Sequence, residues 1–350
     1  MRHLMRAASL GAALLLGPSA GPTPSPALLV LSKGERVLSI VDPTTLTVVA
    51  QVPSGPDPHE VVASSDGAFA YISNYGGGAY NTITIVDLVR QQALPVIDLG
   101  ALRGPHGLMF AGGKVWFTAE AAKAIGSYNP QTHQVDWVLG TGQNRTHMLV
   151  VSPDLKQIIT TNTGSGTVTI AEQNVRPPGG PGPGLGGPPP GAPSGGGAPR
   201  GEWEATMVKV GNGAEGFDLT PDGKEAWVAN AQDGTISIVD LTAKRVTQTL
   251  DADVKGANRL KLTPDGTLAF VSTLRGADVT VLRVATRKVV KRIPVGRGAA
   301  GIQMQPDGAR VYVACTPDDN VAVIDVKSLA VTGRIAAGRQ PDGLAWAVRP

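Results

Sequence analysis

Three histidines head three successive hydrophobic runs: His59 in PHEVVASSDG, His106 in PHGLMF and His147 in THMLVVSPDL. Imidazole is a good ligand for zinc, copper and iron, and it also moves protons near neutral pH. If the three rings meet, a divalent metal is the expected cofactor, held by His59, His106, His147 and Glu215. Asp342 or Glu120 could instead complete such a site or act as its general base. If they do not meet, each histidine is a passenger of a repeated segment, hydrogen-bonding to neighbouring loops and channel water. The choice depends on the elements that carry them.

Those elements repeat. LTPDGKEAWVAN, LTPDGTLAFVST and MQPDGARVYVAC begin at 219, 262 and 304, placing Asp222, Asp265 and Asp307 at spacings of 43 and 42. VASSDGAFAYISN and VSPDLKQIITTN belong to the same series, and each unit runs on into a strand such as TITIVD, TISIVD or VAVID. Four short runs rich in Val, Ile, Thr and aromatic residues, punctuated by Asp-Gly and Asn, make one four-stranded antiparallel blade, and this period means a β-propeller. Six complete units start at 59, 106, 147, 214, 257 and 299. The N-terminus offers three strands of a seventh, and PDGLAWA at 341–347 supplies the missing one. The expected fold is all-β: a seven-bladed propeller over 27–350, closed by pairing of its two ends.

The first strand of a blade lines the central channel. Counting seven residues back from each turn aspartate gives His59, His147, Glu215, Asn258 and Ala300, and aligning PHGL with PDGL adds His106 and Asp342. These seven positions form one ring, and second strands return to its rim at Asn74, Glu120, Asn162, Asn230, Thr273 and Cys315. Arg103, Lys255, Arg297 and Arg339 lie three residues before their ring positions and Arg145 lies two before. Such a rim would favour a small anionic ligand by field focusing, or it is a set of solvated loop cations. With Asn258 and Asp342, these residues are the expected ligand contacts. GNGAEG and GRGAAG match GxGxxG but sit at blade junctions before strands, not helices, and so are turns.

The units resemble the YVTN repeats of YncE-type propellers, in their PDG, YVAN-like and ISIVD-like segments. Blade 3, GPHGLMFAGGKVWFTAEAAKAIGSYNP, is similar instead to a streptogramin lyase blade with its PHG and WFTE. The first resemblance implies an exported binding propeller, working alone or with an envelope protein. The second implies a metal-dependent lyase or lactonase-type enzyme with His106, His147 and Glu120 as candidate catalytic groups. A pure protein-interaction scaffold is the third reading.

At 42% hydrophobic and 17% charged, the chain can build a core. Arg2 and Arg6 precede an apolar stretch at 7–16 and small residues at 17–20, the pattern of a signal peptide. The expected product is a periplasmic or secreted monomer, with no apolar run long enough to span a bilayer. Without those two arginines the net charge drops from +3 to +1, which gives no argument for nucleic acid. Cys315 stands alone, so no intrachain disulfide is expected. Residues 176–201, rich in Pro and Gly with almost no apolar side chains, read as a disordered insertion between the third and fourth strands of blade 4.

Overall fold

A computed structural model describes residues 21–175 and 201–350. The described chain forms seven four-stranded antiparallel sheets in a ring: a seven-bladed β-propeller. Blade 1 is shared between the ends, with Pro341–Ala347 innermost, followed by Ala27–Ser32, Val37–Asp42 and Thr47–Pro53. Blades 2 to 7 follow in chain order, with innermost strands Pro58–Ala63, Pro105–Ala111, Thr146–Val151, Ala214–Leu219, Ala257–Leu262 and Ala299–Met304. The leader at 1–20 lies outside the described residues. So does the Pro/Gly segment, except that Gly201 already opens the strand Gly201–Lys209 and pairs with Val175. That hairpin projects from the rim opposite the histidines.

Second strands are buried almost throughout, as in Glu225–Asn230, because blades cover both of their faces. Outermost strands such as Arg245–Asp251 expose most of their residues and keep a few apolar anchors. Local chemistry fixes the inner hairpins. Asp66 Oδ1 accepts from Ser64 Oγ and the Ala68 N–H, and Asp222 accepts likewise from Thr220 and Lys224. The Gly after each aspartate holds a left-handed φ, as at Gly67 (64°) and Gly223 (68°), where a side chain would be strained.

The core is divided among the blade junctions: each of seven clusters of buried side chains spans two neighbouring blades. Tyr71, Trp116, Trp227, Phe270 and Tyr312, at one equivalent second-strand position, are all buried in these junctions. The closing junction joins Tyr312, Val321 and Ile335 of blade 7 to Leu28, Val30 and Leu344 of blade 1. Leu344 pairs with Val30 and Trp346 with Leu28, so the two ends share one ladder.

Ring closure therefore rests on side chains next to the C-terminus. Leu344→Ala is expected to lower unfolding free energy by about 2–5 kcal/mol, whereas Val348→Ala, on a half-exposed side chain, should stay within about 0.5 kcal/mol. Denaturant titration of the two variants measures this. Equal, small effects would mean that the last strand contributes little to closure.

Candidate functional site: a buried histidine and carboxylate cluster on the propeller axis

The ring residues occupy a break in the sheet. In blade 2 the ladder between first and second strands jumps from Pro58 to Val61, in blade 3 from Pro105 to Leu108, and in blade 4 from Thr146 to Leu149. Each ring residue and its successor sit in that bulge, which turns the ring side chain toward the axis. A second-strand hydroxyl takes over the lost pairing. Thr118 Oγ1 accepts the Gly107 N–H at 2.9 Å and donates to the His147 carbonyl of the next blade at 2.6 Å. Thr161 does the same between Met148 and Glu215, and Ser272 between Arg259 and Ala300.

Three adjacent blades thus bring three imidazoles together. The ring centroids of His106 and His147 are 3.8 Å apart, and those of His59 and His106 are 4.4 Å apart. His147 sits between two carboxylates. Its Nδ1 is 2.5 Å from Glu120 Oε1, and its Nε2 is 2.5 Å from Glu215 Oε2, an ionic contact without hydrogen-bond alignment. Tyr75 donates to Glu120 Oε2 at 2.5 Å, and Arg145 Nε approaches the same oxygen at 3.5 Å. Ligand atoms of His106, Glu120 and His147 all lie within 4.8 Å of one another, and all three residues are buried. His106 Nδ1 has no hydrogen-bond partner although it is buried.

Electrostatics separates the two central imidazoles. Burial, with His147 and His59 close by, holds the His106 pKa well below its ordinary value, so that ring stays neutral. Burial also opposes charge on His147, but Glu215 and Glu120 outweigh it and raise its pKa to about 9. Burial works against ionised Glu215 too, yet the His147 imidazolium lowers that carboxyl to about 2. One imidazole is held neutral and its neighbour charged, at van der Waals distance.

Of the other ring residues, His59 directs Nδ1 to Lys33 Nζ at 2.5 Å and Asp342 Oδ2 at 3.1 Å, so it sits at the edge of the donor group rather than in it. Asn258 and Ala300 line the far side of an axial cavity of about 420 Å³, which Arg145 also lines. The remaining rim cations do not line it: Arg297 pairs with Asp318 at 2.7 Å, Arg339 approaches Glu35 at 3.6 Å, and Arg103 and Lys255 stand exposed. Asn74, Asn162 and Asn230 turn into their own sheets, where each amide donates to third-strand hydroxyls.

Counting to the ring position misses five participants. Lys33, Tyr75 and Glu120 each follow the last residue of a second strand, in blades 1, 2 and 3, and form a second tier above the ring. Only Glu120 of these was legible in advance. Arg259 and Glu60 follow ring positions and pair across the axis from blade 6 to blade 2, both largely buried. Their contact separates the upper cavity from a lower one of about 230 Å³, which both residues also line. The pair therefore forms a floor to the upper pocket.

The opposed shifts set a pH profile for protein stripped of metal with chelator. The raised pKa of His147 adds stability that is complete below pH 6.5 and lost as pH climbs through about 9. The lowered pKa of His106 acts the other way, its contribution being present above 6.5 and lost as pH falls below it. Unfolding free energy should therefore peak near pH 6.5 and decline toward pH 9 by on the order of 3 kcal/mol. Glu215→Gln should flatten that alkaline limb. Denaturant titrations across pH 5–9 measure it, and a level wild-type profile from 6.5 to 9 would contradict the charged state of His147.

No protein-family model matches the sequence, and no curated protein matches it. Solved structures do. A protein of unknown function from Desulfotomaculum acetoxidans superposes with a TM-score of 0.72 at 14% identity, covering 93% of this chain and 100% of that one. A candidate 6-phosphogluconolactonase from Bacteroides uniformis gives 0.71 at 17% identity, covering 92% and 99%. Hydrazine synthase of Kuenenia stuttgartiensis gives 0.64 at 17%, covering 91% and 99%. At such identities the likeness establishes the architecture alone: by fold the chain stands among the β-propellers, and its activity must be argued from its own axial residues.

Proposed function

We propose that this chain is an exported, YncE-like binding propeller whose axial pocket holds one divalent transition-metal ion on His106, His147 and Glu120, beside a small anionic ligand. The observation that carries the reading is the cluster itself: three buried donors within 4.8 Å of one another, one of which leaves a buried nitrogen unpartnered. Two imidazoles and a carboxylate are a donor set that suits zinc and leaves a coordination position open. Glu215 would then anchor the second nitrogen of His147, the usual task of a carboxylate behind a metal-bound imidazole. Arg145, at the pocket wall, would meet the anion. Export rests on the charged and apolar pattern of residues 1–20.

A second reading has its own support. Two touching imidazoles held in opposite protonation states are an acid and base pair. Blade 3, whose PHG and WFTAE segments resemble streptogramin lyase, supplies His106 and Glu120. On this reading the pocket performs lyase or lactonase-type chemistry, with neutral His106 taking a proton and His147 giving one.

Elemental analysis of untagged protein, followed by zinc titration, tests the metal reading. One equivalent of zinc is expected. His106→Ala and Glu120→Ala should weaken it by at least about 10–100-fold, while His59→Ala, outside the donor group, should retain stoichiometric binding. Protein that remains metal-free after exposure to zinc, copper and iron would overturn the proposal.

A further inference from the structure

The pocket is chemically one-sided. In blades 1 to 5 the ring carries Asp342, His59, His106, His147 and Glu215, and the tier above it carries Lys33, Tyr75 and Glu120 in blades 1 to 3. In blades 6 and 7 the same two tiers hold Asn258 and Ala300, then Leu274 and Thr316. Blades 6 and 7 stand across the axis from blades 3 and 4 in a seven-membered ring. The wall that faces the His106–His147–Glu120 group is therefore mostly apolar, formed by Leu274, Pro317, Gly298 and Ala300.

Leu274 makes this wall more than filler. It is 49% exposed at the cavity mouth, where other blades place Lys33, Tyr75 and Glu120. Most of the other exposed large apolar side chains lie on outer strands, such as Val96, Val138, Met207 and Val289, far from the axis. An apolar wall opposite a few convergent polar groups, in a cavity of about 420 Å³, is the usual build of a small-molecule site. Charge narrows the ligand further. Lys33 and Arg145 both line the cavity, each already facing one carboxylate, Asp342 and Glu120, so they offer a small anion a single charge-assisted contact rather than a cluster of free cations.

We infer that the pocket selects a small monocarboxylate with an aliphatic body, its carboxylate toward His106, His147 and Arg145 and its chain against Leu274 and Pro317. This specificity rests on the axial cavity being a ligand site, as proposed above, but not on the metal. A phosphate ester or a sugar acid, polar over its whole length, would leave Leu274 and Pro317 without an apolar partner.

Calorimetry with acetate, butyrate and hexanoate on zinc-loaded and on chelated protein provides the test. Affinity should rise about fourfold per added methylene. Leu274→Ser, an exposed position whose change should not disturb folding, should cut that gain to below about twofold while leaving zinc content unchanged. Equal affinity along the series, an unaltered gain in Leu274→Ser, or no carboxylate binding in either form would overturn the inference. Elemental analysis separates the two proposals. A chain-length gain that persists in protein unable to hold metal would defeat the metal reading and sustain this one, whereas stoichiometric zinc with a flat series would do the reverse.

Discussion

Everything at the centre of this molecule depends on the bulge at the head of each innermost strand. A regular ladder would keep the ring residues paired with the second strand and aim alternate side chains along the sheet normal. Breaking the ladder for two residues frees an N–H and a carbonyl close to the axis, and both need new partners. Hydroxyls of Thr118, Thr161 and Ser272 answer both needs at once, accepting within the blade and donating to the next. The crowding also explains glycine after several ring positions. A Cβ on Gly301 would lie 2.0 Å from the Asp342 carbonyl oxygen, and one on Gly107 would lie 2.6 Å from that of His147. Neighbouring inner strands are in backbone contact there, so the ring geometry is set by main chain and not by side-chain packing.

On this frame the site gathers more charge than its burial would ordinarily permit. Isolated, an imidazolium at 3% exposure would lose its proton. Glu120 and Glu215 reverse that outcome for His147, and Tyr75 and Arg145 in turn hold Glu120. The network works because its members come from different blades whose spacing the bulges fix. Arg259 and Glu60 follow the same logic one layer deeper, where truncating either partner would strand a buried charge.

The architecture was readable because the repeat is a statement about period, and period survives wherever one blade packs on the next. The ring was readable for the same reason: a fixed count from the turn aspartate finds His59, His147 and Glu215 whatever their chemistry. Departures from the repeat were harder. Lys33 and Tyr75 sit one residue past a strand end, where the sequence carries no pattern, and only the direction of the following turn brings them inward. The rim cations show the converse: Arg297 and Arg339 share the spacing of a funnel, yet Asp318 and Glu35 hold them at the surface. Spacing locates a backbone position; the partner within reach decides where a long side chain goes.

Blade 1 joins strands far apart in sequence, and this has a bearing on how intact molecules differ from clipped ones. Lys33 lies near the start of the described chain, Asp342 near its end and His59 between them, and the three meet in one cluster. Without the strand Pro341–Ala347 the other six blades would surround an axis that lacks one wall, and the flank beside His59 would stand open to water. A chain cut short by truncation or nicked near its tail would keep most of its sheets but lose the enclosure of its pocket. Occupancy of the pocket would then distinguish finished molecules from unfinished ones that spectroscopy of secondary structure would score as nearly the same.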